Sequence, residues 1–151
     1  SFDQKRANMS TSKNNTSNST PPPAPGQKRV DLFKFKWGAL SIDEIRGILD
    51  ALPMDINFID KDDLVQYYNE SSGLVHQRNP SIFGKDVLSC HSEASRKKVT
   101  ATLEALRSGE RDIVKSRGEA NGRPALWRYL AVRDASGTYL GALCITEYTD
   151  Q

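Results

Sequence analysis

The chain has 151 residues, 21 basic against 19 acidic, for a net charge of +2. So even a balance makes no electrostatic case for nucleic acid or a membrane surface as the partner. No apolar run approaches the roughly 20 residues a membrane span needs, no secretory apolar region opens the chain, and the only cysteines are Cys90 and Cys144; a reduced, cytoplasmic setting is therefore expected.

Residues 1–30 read as a tail. Ser1 to Asn8 look like a leader placed ahead of a native start at Met9. Ser10 to Thr20 is a Ser/Thr/Asn tract with almost nothing apolar to bury, so disorder is expected. Pro21 to Gly26 favours an extended polyproline spacer.

Residues 31–53 read as an arm and an amphipathic helix. Phe33, Phe35 and Trp37 share one face of an extended strand, because side chains alternate. Ser41-Ile42-Asp43-Glu44 is a capping box, in which the hydroxyl bonds a helix amide and Glu44 reaches back. Ile42, Ile45, Ile48, Leu49 and Leu52 follow at helical spacing, and Pro53 stops the helix. The aromatic arm carries more apolar surface than one small sheet needs. A homodimer through Phe33, Phe35, Trp37, Ile45, Ile48 and Leu49 is therefore expected.

Residues 54–150 read as the core domain. Met54 to Ile59 and Leu64 to Asn69 are predicted strands joined by a turn at Lys61-Asp62-Asp63. From Glu70 to Ser89 the pattern breaks into short pieces, punctuated by Gly73, Pro80 and Gly84. Ser92 to Arg107 is a predicted helix, capped by Ser92, striped by Val99, Leu103 and Leu106, and ended by Gly109. Arg111 to Arg117 is a third strand, and Asn121-Gly122 a hairpin turn. The last two strands lie between Pro124 and Tyr148, around Asp134-Ala135-Ser136-Gly137. Their adjacent apolar residues, such as Leu130, Ala131 and Val132, predict cover on both faces. The order gives an α+β domain with a five-stranded antiparallel sheet. Its long connection carries helices across one face, and the N-terminal helix can cap the other. The space between sheet and mid-chain helices forms a cup.

Asn69 closing the second strand, Gly84-Lys85-Asp86-Val87 entering the helical region and Arg133-Asp134-x-x-Gly137 turning into the last strand resemble the PAS fold. Gly38-Ala39-Leu40-Ser41, Leu52-Pro53-Met54-Asp55-Ile56, Cys90-His91 and Arg128 to Asp134 resemble, more narrowly, a bacterial and archaeal PAS subfamily often fused to hemerythrin-like domains. The resemblance implies sensing, dimerisation and relay to a signalling partner rather than turnover. With His76 and His91 as its only histidines, this chain cannot hold a hemerythrin di-iron site.

Cys90-His91 is the most reactive-looking pair. It reads either as a soft metal or haem ligand or redox thiol, or as a packed cysteine beside a histidine that bonds a carbonyl. Two residues do not make a zinc site. Haem-binding PAS domains carry their ligand in the long helix, where this chain has Val99. Flavin-binding ones carry a cysteine where it has Val87. The residues thus disfavour flavin and leave haem to His91 or Cys90. Trp127, Tyr129, Phe58 and Tyr67 line a pocket or fill the core. The acidic group Asp55, Asp60, Asp62 and Asp63 fits a solvated turn better than a metal site. No catalytic arrangement emerges, so no enzyme activity is expected. The candidate ligand site is His91, Cys90, Phe58, Val99, Leu103, Trp127 and Tyr129, with His91 at the mouth. Two roles compete with that site: a ligand-free dimerisation module, and a haem or metal redox sensor.

Overall fold

The computed structural model describes residues 25, 31–70, 74–77 and 79–151. The expected tail disorder and polyproline spacer lie almost wholly outside them. The chain divides into two compact units after Ile48.

In the first unit, β1 (Leu32–Phe35) pairs antiparallel with β2 (Gly38–Ser41). This corrects the single extended arm. Phe35 pairs with Gly38, leaving Lys36 and Trp37 as a two-residue turn, and Gly38 takes a φ of 111° that a side chain would resist. Trp37 therefore leaves the Phe33–Phe35 strand and sits at the hairpin tip, 87 % exposed. The helix α1 (Ile42–Ala51) follows directly. Its capping box forms as predicted: the Glu44 amide donates to Ser41 Oγ at 3.1 Å, and the Ser41 amide to Glu44 Oε1 at 2.9 Å.

In the second unit, β3 (Asp55–Asp60), β4 (Val65–Tyr68), β5 (Ile113–Ala120), β6 (Arg123–Arg133) and β7 (Tyr139–Tyr148) form one antiparallel sheet in the order β4-β3-β7-β6-β5. The last strand thus lies at the centre, beside the first. Two 3-10 turns, Pro80–Ile82 and Val87–Cys90, and the helix α2 (Glu93–Ser108) make the long crossover. Asn121 and Gly122 both take positive φ, 55° and 74°, as a two-residue hairpin turn requires. Ser92 stands at the N-cap of α2, but its hydroxyl bonds Ser95 Oγ rather than a helix amide; Gly109 ends the helix with a φ of 81°.

Val99, Leu103 and Leu106 of α2 pack with Ile59, Val65, Val87 and Ala142 into the core. Each Val, Leu or Ile side chain among them contributes about 1.5–3 kcal/mol by leaving water. Buried polar groups tie the ends together. Asn69, 1 % exposed, accepts from the Ile56 amide at 2.8 Å and donates to the carbonyls of Leu49 and Met54. Asp60 accepts from the amides of Asp62 and Leu64, so this carboxylate shapes the β3–β4 turn. Arg107 reaches Asp63 at 2.5 Å, and Arg133 donates to the last-turn carbonyl of Leu106 at 2.7 Å.

Candidate functional site

Alternation along the strands decides which side chains share the sheet face beneath α2. The register sets Trp127 opposite Thr146, Tyr129 opposite Cys144, and Asn57 opposite Cys144 from the other side. Asn57, Ile59, Cys144, Trp127 and Tyr129 therefore point to one face. They line a cavity of about 330 Å³, closed from the crossover side by Val87, Cys90, His91 and the segment around His76. A second cavity, of about 290 Å³, lies between α2 and β5–β6, lined by Val99, Lys98, Ser95, Val114 and Ser116. His76, His91, Trp127 and Tyr129 belong to both walls.

Each histidine has one ring nitrogen fixed by a hydrogen bond. His91 Nδ1 lies 2.9 Å from the Val87 carbonyl, which can only accept, so Nδ1 carries the proton. Its Nε2 receives no bond from a described residue and is left to face a ligand. Trp127 Nε1–H donates to His76 Nε2 at 3.0 Å, which makes that imidazole neutral with its proton on Nδ1. His76 is placed by Asp55, whose Oδ2 accepts the amides of Val75 and His76 at 2.7 and 2.8 Å. Asn121 also reaches across from its turn to the Val75 carbonyl at 2.8 Å. The sheet thereby grips the segment that roofs the cavity.

The floor contains a buried polar pair. Burial pushes the Cys144 thiol up to about 11, against the hydrogen bonds of Thr146, Tyr129 and Asn57. Burial, followed by the neighbouring Cys144, likewise raises the Tyr129 phenol. Both are neutral over the physiological range, so the floor offers hydrogen bonds and no charge.

Of the predicted site residues, His91, Cys90, Trp127, Tyr129 and Val99 line these cavities. Phe58 does not. It pairs with Leu143 and Tyr67 on the opposite sheet face, because it is one residue out of phase with Asn57 and Ile59. Tyr67 goes with it, while Tyr68 faces the cavity. Leu103, 2 % exposed, is core beneath the helix rather than cavity wall. Sequence reasoning missed Asn57, His76, Lys98 and Ser116. Strand alternation from Trp127 could have found Ser116 and Asn57 once the register was known. His76 carries no local signal, since a distant aspartate places it.

Cys90 is exposed with a free thiol, and among the described residues no three of His, Cys, Asp and Glu converge. The arrangement can hold a small molecule between aromatic walls and offer it hydrogen-bond donors and acceptors.

The profile of the PAS domain family matches residues 45–147. A C-terminal domain from Streptococcus mutans is similar at 35 % identity and a TM-score of 0.74, over 82 % of this chain and 96 % of that one. The PAS domain of BvgS from Bordetella pertussis shares the fold at 15 % identity and a TM-score of 0.57, over 73 % and 87 % of the two chains. A sensory box sensor histidine kinase from Vibrio cholerae does so at 14 % and 0.52, over 71 % and 90 %. No curated protein matches the chain.

Proposed function

This chain belongs to the PAS domain family, and from that premise we propose that it is a sensory, signal-transducing domain that binds a small molecule on the inner sheet face. PAS domains serve in sensor histidine kinases, one of which, from Vibrio cholerae, shares this fold. The observation that carries the ligand reading is the cavity of about 330 Å³ between aromatic walls and the two histidines. That volume lies within the range of small-molecule sites, and a filled core would leave no such space. His91 stands at the mouth and offers its free Nε2 to the ligand. Occupancy is relayed through a homodimer built on Phe33, Phe35, Trp37, Ile45, Ile48 and Leu49. Supporting that interface, Phe35, Trp37 and Ile48 are exposed, and a two-stranded hairpin is only marginally stable alone.

The test is a native mass spectrum and an absorption spectrum of freshly purified protein. A bound small molecule that leaves on denaturation is the expected result. A bare protein mass, with no molecule recovered by extraction, favours a ligand-free dimerisation module instead. A Soret band lost in His91→Ala or Cys90→Ala would replace both readings with a haem sensor.

A further inference from the structure

The charge lining the cavities identifies a class of ligand. Among the described residues that line the two cavities there is no aspartate or glutamate, and apart from the histidines Lys98 alone is ionisable to a cation. Lys98 projects from α2 to β5, where its Nζ donates to Ser116 Oγ at 2.7 Å. The pair stands at the solvent-exposed end of the cavity lined by Val99, Val114, Trp127 and Tyr129. A hydroxyl is a weak partner for an ammonium, and Lys98 Nζ has two further donors to give. A carboxylate at that end would gain a charge-assisted hydrogen bond from Lys98 and another from Ser116. A ligand cation would find no counter-charge in the lining. A phosphate dianion would bring more charge than one lysine answers. Next to Lys98 the walls are aromatic: Trp127 and Tyr129 lie on one face, and the His76 ring stands 6.1 Å from that of Trp127.

We propose that these cavities take a small monocarboxylate with a planar, apolar body, its carboxylate on Lys98 and Ser116 and its ring against Trp127 and Tyr129. This inference rests on the ligand-binding reading above and adds the chemistry of the ligand.

Acid and amide pairs test it, because they match in shape and differ in charge: benzoate with benzamide, phenylacetate with phenylacetamide, indole-3-acetate with indole-3-acetamide. The protein is the full chain carrying Trp37→Phe, which leaves Trp127 as the only tryptophan. Binding of the first two pairs is read from Trp127 fluorescence, and of the indoles, which fluoresce themselves, by calorimetry. At least one acid should bind about tenfold more tightly than its amide, the difference expected for a charge-assisted bond. Lys98→Met should remove that preference, weakening the acid more than its amide, and leave the far-ultraviolet circular dichroism unchanged. Equal binding of acids and amides, or an acid preference that survives Lys98→Met, overturns the monocarboxylate and leaves the cavity as a ligand site. If none of the six binds at millimolar concentration, the monocarboxylate is also overturned. The ligand-binding reading itself falls separately, on the mass spectrum of the purified protein.

Discussion

Single residues set both the stability and the chemistry of this domain. Gly141 takes a φ of 152°, and a Cβ there would meet the Ile59 carbonyl at 2.1 Å and the Phe58 ring at 2.8 Å. The carbonyl cannot give way, since it is backbone in the adjacent strand. Gly141→Ala should therefore cost several kcal/mol, more than about 3, by urea unfolding. Gly47 in α1 has nothing within 4 Å of its added Cβ. Gly47→Ala should raise stability by up to about 1 kcal/mol in the same measurement, because alanine favours the helix. Cys144 makes a pH prediction. Its thiol is raised from 9.0 to about 11 by burial. A thiol raised on folding contributes stability that is whole below the unfolded value and lost as pH climbs through the folded one. Between pH 9 and 11 up to about 3 kcal/mol should disappear through this group, with Tyr129 adding to the loss. Cys144→Ala should flatten the stability profile over that window; an unchanged slope would mean that the thiol is hydrated in the native state.

At the scale of elements, the hairpin β1–β2 and the helix α1 form a piece with its own logic. The capping box starts the helix immediately after β2, so hairpin and helix are joined without a linker. Leu32 and Phe35 are about half exposed and Trp37 almost fully so. If a second copy covers this surface, a chain lacking the residues before Gly38 loses most of the aromatic contribution. Sedimentation of that chain should show a monomer where the full chain shows a dimer. A dimer that persists would place the interface elsewhere. The far end of α1 is held differently, by Asn69 reaching the Leu49 carbonyl.

For the whole molecule, the testable quantity is the coupling of binding to folding. A ligand present at a hundred times its Kd stabilises the native state by about 2.7 kcal/mol and so raises the melting temperature by several degrees. His91→Ala should leave the ligand-free melting temperature nearly unchanged, since His91 is only partly buried at the mouth. It should reduce the ligand-induced rise, because the free Nε2 is lost. Paired melting and titration of both proteins checks this: collapse of the ligand-free variant would make His91 structural, and an undiminished rise would remove it from the site.

The amino-acid sequence by itself determined the element order from the N-terminal helix onward, the capping box, both C-terminal hairpin turns and the α+β class, because these rest on residues close in the chain. Asn121-Gly122 must turn wherever it lies, and Ser41 finds Glu44 within one helical turn. It also marked His91, Cys90, Trp127, Tyr129 and Val99 as candidates. Register and long-range contact were beyond it. A strand has period two, so a one-residue difference in phase moved Phe58 and Tyr67 to the far face while Asn57 and Tyr68 took the near one. Trp37 was read as part of a strand because nothing local announces that Gly38 returns to pair with Phe35. His76, Lys98 and Ser116 joined the site only when Asp55 bound the Val75 and His76 amides and α2 came to rest over β5. Those juxtapositions span up to 21 residues of chain in the first case and 18 in the second, and only packing of the sheet against the helix brings such partners within hydrogen-bond range.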